Sequence, residues 1–291
     1  MPKITTMAHQ LIKSLDTSQL KQAIALIESS FEYESTYHYK DDFFPLFSNH
    51  YDAGHLAIID KQDVIAHIGY CLREVHIANE TFKAAFLGAI AVDKDYRGKG
   101  LFKEVFTKAL EQLDQQVDFF LLWSGDNALY EKFGFNQCGR IYQIGSDLSF
   151  QAPLKASSLS INDLAQMRSL YESSWPNRVA RNHKQWLSLL EMPSIDIYLD
   201  KKGETLQSYA IKNKGFDLQG IVHEFASKDL DQFIEKFKSS AIWSPKSFNQ
   251  QAHSKLWLAM AKQSSLWNSQ RGNIEDFLNK NELMISGIDS V

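Results

Sequence analysis

Arg97, Gly98, Lys99 and Gly100 place two cations and two glycines in four consecutive residues, with Leu101 and Phe102 directly behind them. Glycines allow turns and close approaches that a Cβ would block. Where such a turn opens a helix, unpaired backbone N–H groups point outward and the helix dipole adds positive potential. That combination suits a pyrophosphate, and the side chains of Arg97 and Lys99 add full positive charge. Further along, Asn127 and Tyr130 sit in Gly125-Asp126-Asn127-Ala128-Leu129-Tyr130.

The elements around these residues are legible. The apolar run Phe86 to Val92 has strand length and β-branched residues at Ile90 and Val92. Leu101, Phe102, Val105, Phe106, Ala109, Leu110 and Leu113 form one helical stripe. Phe119 to Trp123 reads as a buried strand, so the unit is expected to be a right-handed parallel crossover. Other cradles do not fit. The chain has no Gly-x-x-x-x-Gly-Lys-Ser/Thr loop, and the third glycine of a dinucleotide fingerprint is replaced by Lys103.

The loop resembles the acyl-CoA loop of the GNAT (GCN5-related) N-acetyltransferases, Gln/Arg-x-x-Gly-x-Gly/Ala between a strand and a helix. Arg97 and Gly100 match it; Phe102 stands where Gly or Ala is usual. The segment Gly125-Asp126 to Tyr130 and Phe133-Gly134-Phe135 resembles a second motif of the family, in the right order and spacing. The resemblance covers about residues 5 to 150. It implies an α/β (α+β) fold with a mixed, largely antiparallel twisted sheet flanked by helices. It implies transfer of an acetyl (acyl) group from acetyl-CoA, a co-substrate, to an amine through a tetrahedral intermediate. Pantetheine would pair with the backbone of Ile90, Ala91 and Val92; residues Arg97 to Phe102 would hold the pyrophosphate; Asn127 would touch the pantetheine arm. Tyr130 matches the general acid. A non-catalytic acyl-CoA-binding regulatory module is the alternative reading.

The general base is open. Phe86 to Val92 carries no acid, which leaves Glu74, His67, Asp126, a water chain, or a terminal carboxylate at Val291 as in related tandem enzymes. His67 and Cys71 also share one strand face, which fits ordinary packing.

The composition sets outer bounds. The chain has 291 residues, 44% hydrophobic and 23% charged, with a net charge of −4. That length accommodates two cores, and the acidic balance speaks against a nucleic-acid binder. Two cysteines, Cys71 and Cys138, point to a reducing compartment without a disulfide framework. Nine histidines lack metal-ligand spacing, so no metal is expected. No leader-like or membrane-spanning apolar run is visible, and a cytoplasmic protein is expected.

In chain order, a strand is expected within residues 4 to 15, a helix capped at Asp16, and a second helix within Phe31 to Tyr51. A hairpin over Gly54 to Val75 and closing strands over Phe135 to Phe150 complete a first domain, residues 1–150. Pro153 marks a boundary. Residues 151–291 repeat the order: helices near Ser160 and Arg181, a hairpin over Ile195–Leu199 and Leu206–Lys212, a strand from Phe216 to Ala226, a helix from Ser227 to Lys238, and a late strand at Leu283–Ile285. This is a second, diverged GNAT-like unit. Its counterpart of the phosphate loop, Ser227-Lys228-Asp229-Leu230-Asp231, has no glycine and two carboxylates, so it should not take CoA. The segment Phe31 to Asp52 carries Glu32, Glu34, Asp41, Asp42 and Asp52 among many aromatics, which points to a cationic amine as acceptor.

Overall fold

In the computed structural model the described residues are 9–33, 36–145, 154–155, 158–237, 241–248 and 254–291. The expected first strand is present as β1 (Gln10–Ile12). The Asp16 carboxylate accepts a hydrogen bond from the Gln19 N–H, and the Asp16 N–H donates to the Gln19 side-chain oxygen. This capping box starts α1 (Thr17–Ser30). The aromatic segment forms only a short α2 (Tyr39–Asp42) and a single 3₁₀ turn, Phe44–Leu46, which Pro45 opens. Then come β2 (Asp52–Asp60), β3 (Asp63–Ile77), β4 (Glu80–Val92), α3 (Leu101–Leu113), β5 (Phe119–Leu122), α4 (Asn127–Glu131), β6 (Asn136–Cys138) and β7 (Ile141–Ile144).

The second half contributes β8 (Leu154–Lys155), α5 (Ile161–Ser174), β9 (Arg178–Val179), α6 (His183–Ser188), β10 (Asp196–Lys202), β11 (Thr205–Lys212), β12 (Ile221–Ser227) and α7 (Leu230–Phe237). It ends with β13 (Ala241–Ser244), β14 (Ser254–Leu256), β15 (Ala259–Gln263) and α8 (Ile274–Lys280). The strand expected from Phe216 begins only at Ile221, because Gly215 and Gly220 take positive φ and turn the chain first. Leu283–Ile285 is no strand; Met284 makes an isolated bridge to Arg178.

Two sheets carry the same strand order. The first runs β1-β2-β3-β4-β5-β15-β6, with β9 added on β3; the second runs β8-β10-β11-β12-β13-β7-β14. In each, a single parallel pair, β4 with β5 and β12 with β13, is joined by a crossover helix, α3 or α7. All other pairs within the sheets are antiparallel.

The penultimate strand of each sheet comes from the other half of the chain. β15 inserts between β5 and β6 of the first sheet, and β7 inserts between β13 and β14 of the second. Residues 136–144 and 254–263 therefore run alongside each other as one antiparallel ribbon that passes from sheet to sheet. The ribbon bends at Gly139, whose φ of +63° suits glycine and whose missing Cβ leaves room for Leu258. The strands thus do not part at the 150/151 boundary. One buried cluster unites residues of both halves, from Ile27 and Phe86 to Phe225 and Ile288.

Candidate functional site

The site is built where β4 leaves β5. Their parallel pairing runs from Ala84 with Phe119 to Leu87 with Leu122 and stops there. Among the described residues, Gly88 to Val92 have no strand partner on that edge. On the other edge His67 pairs with Ala91 and Gly69 with Gly88, so three residue steps on β4 face two on β3. This bulge puts Ala89 at φ 52°, unusual for a residue with a Cβ, and turns Ala89 and Ile90 toward a cavity. His67 holds it, its Nδ1 lying 2.8 Å from the Ala89 carbonyl.

Tyr130 stands on α4, whose N-cap is Asp126: the Asp126 carboxylate accepts from the Leu129 N–H at 3.2 Å. The Tyr130 ring is clamped edge-on by Phe102, Phe106 and Phe135. The bulky Phe102, where the family pattern has Gly or Ala, is thus a wall for Tyr130. Among the described residues the Tyr130 hydroxyl has no hydrogen-bond partner, and Tyr130 is among the residues that line the same cavity as Gly88, Ala89 and Ile90. Burial, with the Asp126 charge, pushes its pKa up to about 12, which keeps the phenol protonated. Asn127 begins the same helix and is half-buried.

The cationic loop is exposed at the start of α3. Gly98 and Gly100 take φ of +76° and +84°, and nothing lies within 4 Å of a Cβ built at either. The glycines are thus required by conformation, and the space above them is open to a ligand. Among the described residues the N–H groups of Gly98 to Phe102 have no protein acceptor. Arg97 reaches back to the Val92 carbonyl at 3.2 Å, and Lys99 to that of Asp95 at 3.0 Å. In the second unit the equivalent helix start is self-satisfied: Asp229 accepts from the Gln232 N–H at 2.9 Å.

Three of the candidate bases are committed elsewhere. Glu74 is exposed on β3 opposite Lys83. His67 is fully buried between Ala89 and His55, and burial, then His55, lowers its pKa to about 3. Asp126 caps α4. Val291 is different: it is buried, and its main-chain carbonyl occupies the space that a Cβ on Gly88 would need. The glycine at 88 therefore seats the Val291 carbonyl on the bulge, a tertiary contact with no local signal in the sequence.

The cavity in front of the bulge has a volume of about 580 Å³. Phe31, Tyr33, Tyr39 and Phe43, from the aromatic part of the Phe31–Asp52 segment, wall it. The acids of the segment do not. Asp42 is buried and spent: it accepts from the Tyr33 hydroxyl at 2.9 Å, Ser194 Oγ at 3.1 Å and the Phe216 N–H at 3.3 Å. Glu32 and Asp52 are exposed, Asp41 is half-buried, and none of these four acids lines the cavity; Glu34 lies outside the described residues. The one lysine or arginine among the lining residues is Lys214, a residue that the sequence presents only as part of a turn. Its Nζ donates to Ser290 Oγ at 2.7 Å and lies 3.7 Å from the Phe43 ring centre. Burial lowers its pKa to about 7, against the opposing pull of Asp217, Asp42 and Asp289.

Ser290 and Val291 are held by a buried ionic network. Asp289 accepts from Arg73 Nη2 at 2.7 Å and from Arg181 Nε and Nη2 at 3.0 and 2.6 Å. Arg181 also grips Glu224, which accepts from the Tyr209 hydroxyl at 2.8 Å. Burial would raise the Asp289 carboxyl, but the two arginines hold it below the usual range. Asp289→Asn leaves two buried guanidinium groups without this counter-charge. It is expected to lower unfolding free energy by about 3–5 kcal/mol, read from urea denaturation; a loss within error of zero would contradict the network's role.

Among the described residues no helix is long and apolar enough to cross a membrane, and no group of three or more His, Cys, Asp or Glu side chains could hold a metal ion.

Residues 11–138 match the acetyltransferase (GNAT) domain family. The uncharacterized N-acetyltransferase YhbS of Escherichia coli (strain K12) is 28% identical over 112 residues, 38% of this chain. The match spans 63% of that relative's length. A probable N-acyltransferase from Enterococcus faecalis V583 superposes with a TM-score of 0.64 at 17% identity, over 89% of this chain and 73% of its own. A GCN5-related N-acetyltransferase from Kribbella flavida gives 0.61 at 15%, over 88% and 72%. The fold is thus shared with GNAT proteins across nearly the whole chain, second half included.

Proposed function

We propose that the chain is an N-acetyltransferase that moves an acetyl group from acetyl-CoA to an amine by direct attack. The observation that carries this reading is the gap beyond Leu87 and Leu122, beside the Ala89 bulge and a cavity that Tyr130 lines. An unpaired strand edge at Ile90, Ala91 and Val92 suits the amide groups of pantetheine. The exposed N–H groups from Gly98 to Phe102, with Arg97 and Lys99, suit the pyrophosphate. Asn127, beside Tyr130, is assigned to the pantetheine arm.

In the reaction the amine nitrogen attacks the thioester carbon and forms the C–N bond. Negative charge gathers on the carbonyl oxygen, where a backbone N–H of the bulge can stabilise it. Collapse of the intermediate breaks the C–S bond, Tyr130 gives its proton to the departing sulfur, the nitrogen sheds its extra proton to solvent, and solvent reprotonates Tyr130. The Val291 main-chain oxygen, seated on Gly88, is placed to accept a hydrogen bond from the attacking amine and orient it. The two halves are read as tandem GNAT-like units, the first catalytic and the second without an acyl-CoA loop. The buried free thiols of Cys71 and Cys138 fit a reducing, cytoplasmic setting.

Acetyl-CoA is expected to bind with one equivalent per chain in calorimetry. Gly100→Asp should weaken it at least about a hundredfold, because the new residue combines a disfavoured φ with a carboxylate beside the pyrophosphate. Two equivalents per chain, or unchanged affinity in the variant, would overturn the assignment. Release of free thiol from acetyl-CoA with a panel of amines tests the activity itself; tight binding without turnover on any amine would leave an acyl-CoA-binding module instead.

A further inference from the structure

The cavity has aromatic walls and one buried cation. Phe43, Tyr39, Phe216, Trp123 and Trp243 are among its lining residues. Three large apolar side chains that stay exposed, Phe31 at 47%, Leu256 at 39% and Trp257 at 42%, also line it, so exposed apolar surface collects at this opening. Lys214 sits among these rings and is 1% exposed. Its ammonium has three donors; among the described residues it makes the hydrogen bond to Ser290 and no ion pair. Two donors therefore remain for something in the cavity. Asp217, exposed, is the one acid side chain among the lining residues.

A buried ammonium is costly unless it is paired. A long acyl chain in this space would face Lys214 with hydrocarbon and leave that cost in place. A polyamine would set like charges together. A carboxylate would supply both counter-charge and acceptors, while the rings take an apolar body. Lys214 is also tied to the reaction point through the tail: it bonds Ser290, and the next residue, Val291, rests on Gly88 of the bulge. An acceptor that carries both an amine and a carboxylate would engage both ends of that link.

Building on the acetyl-transfer reading, we propose that the acceptor is an alkyl amine that bears an aromatic ring and a carboxylate, as in an aromatic α-amino acid, and that Lys214 is the residue that selects for the carboxylate. The acceptor's ring lies against the cavity's aromatic walls, and its amine points to Gly88 and Tyr130. This replaces the cationic acceptor expected from the acids of the Phe31–Asp52 segment.

The test compares phenylalanine and tryptophan with phenethylamine and tryptamine, which lack the carboxylate, and with spermidine, following free thiol from acetyl-CoA. The amino acids should be used with at least about tenfold higher kcat/KM than their decarboxylated counterparts. Lys214→Met should erase that ratio while acetyl-CoA affinity, measured by calorimetry, stays as in the parent; Lys214→Gln serves if the methionine variant does not bind acetyl-CoA. Lys214→Arg, which keeps the charge, should keep part of the ratio. Equal or better use of phenethylamine or spermidine would overturn the proposal. So would a ratio that survives in Lys214→Met, including the case where all amines slow alike, which would make Lys214 a proton acceptor. If acetyl-CoA binds and no amine releases thiol, the acetyl-transfer reading fails by itself. The carboxylate site is then judged by binding of N-acetylphenylalanine against N-acetylphenethylamine to the CoA-loaded protein, with equal affinities sinking it.

Discussion

Tyr130→Phe is expected to lower kcat by about 10²–10⁴-fold while acetyl-CoA affinity stays close to that of the parent. The clean separation follows from how the ring is held. Phe102, Phe106 and Phe135 surround its edges and faces, and a phenylalanine fills the same space. The hydroxyl makes no hydrogen bond within the described residues, so its removal leaves no buried partner stranded and should cost little stability. What is lost is the proton for the leaving sulfur. Because burial and Asp126 hold the phenol at about 12, the proton is present throughout the range in which the enzyme would be assayed. The thiolate must then leave unprotonated, or take its proton from water that the aromatic cavity disfavours. Single-turnover release of thiol, with acetyl-CoA binding by calorimetry on the same preparation, reads both quantities. An unchanged rate would take Tyr130 out of the mechanism; a fall in affinity to match the rate would make it a packing residue.

The parts of this site that were legible in the sequence are local. The β4–loop–α3 segment declares itself through an apolar run, two glycines and a helical stripe in adjacent residues, and the structure realises it with both glycines at positive φ. The second motif likewise fixes Tyr130 on a short helix capped by Asp126. The reason for the glycines was only half visible: conformation was readable, but the open space above them required the fold. What stayed hidden is tertiary. Nothing near Lys214 distinguishes it from any turn lysine; its meaning comes from burial beside Phe43 and Ser290. The fate of the acids of the Phe31–Asp52 segment stayed hidden for the mirror-image reason. Their type is plain in the sequence, but the hydrogen bonds that absorb Asp42 come from Tyr33, Ser194 and the backbone at Phe216, two of them more than 150 residues away.

Strand exchange was hidden in the same way, and it leads to the other large expected effect. Short apolar strands such as Ile141–Ile144 and Ala259–Gln263 look alike whichever sheet receives them, since alternation reports a buried face and not a partner. A cut at the 150/151 boundary is therefore expected to abolish folding of the first half. A fragment of residues 1–150 lacks β15, so β5 and β6 lose the strand that joins them and present open edges. It also loses Asp289 and leaves Arg73 buried without its partner. β7, meanwhile, carries strand-forming residues with no second sheet to enter. Such a fragment should show no cooperative melt and no acetyl-CoA binding, even though it contains every residue of the proposed CoA site. Co-expression with residues 151–291 should restore both, since the exchanged strands can then pair across two chains. A fragment that melts cooperatively and binds acetyl-CoA like the whole chain would show that the first unit closes its own sheet. In that case β15 would be an accessory to the catalytic half and not a part of it.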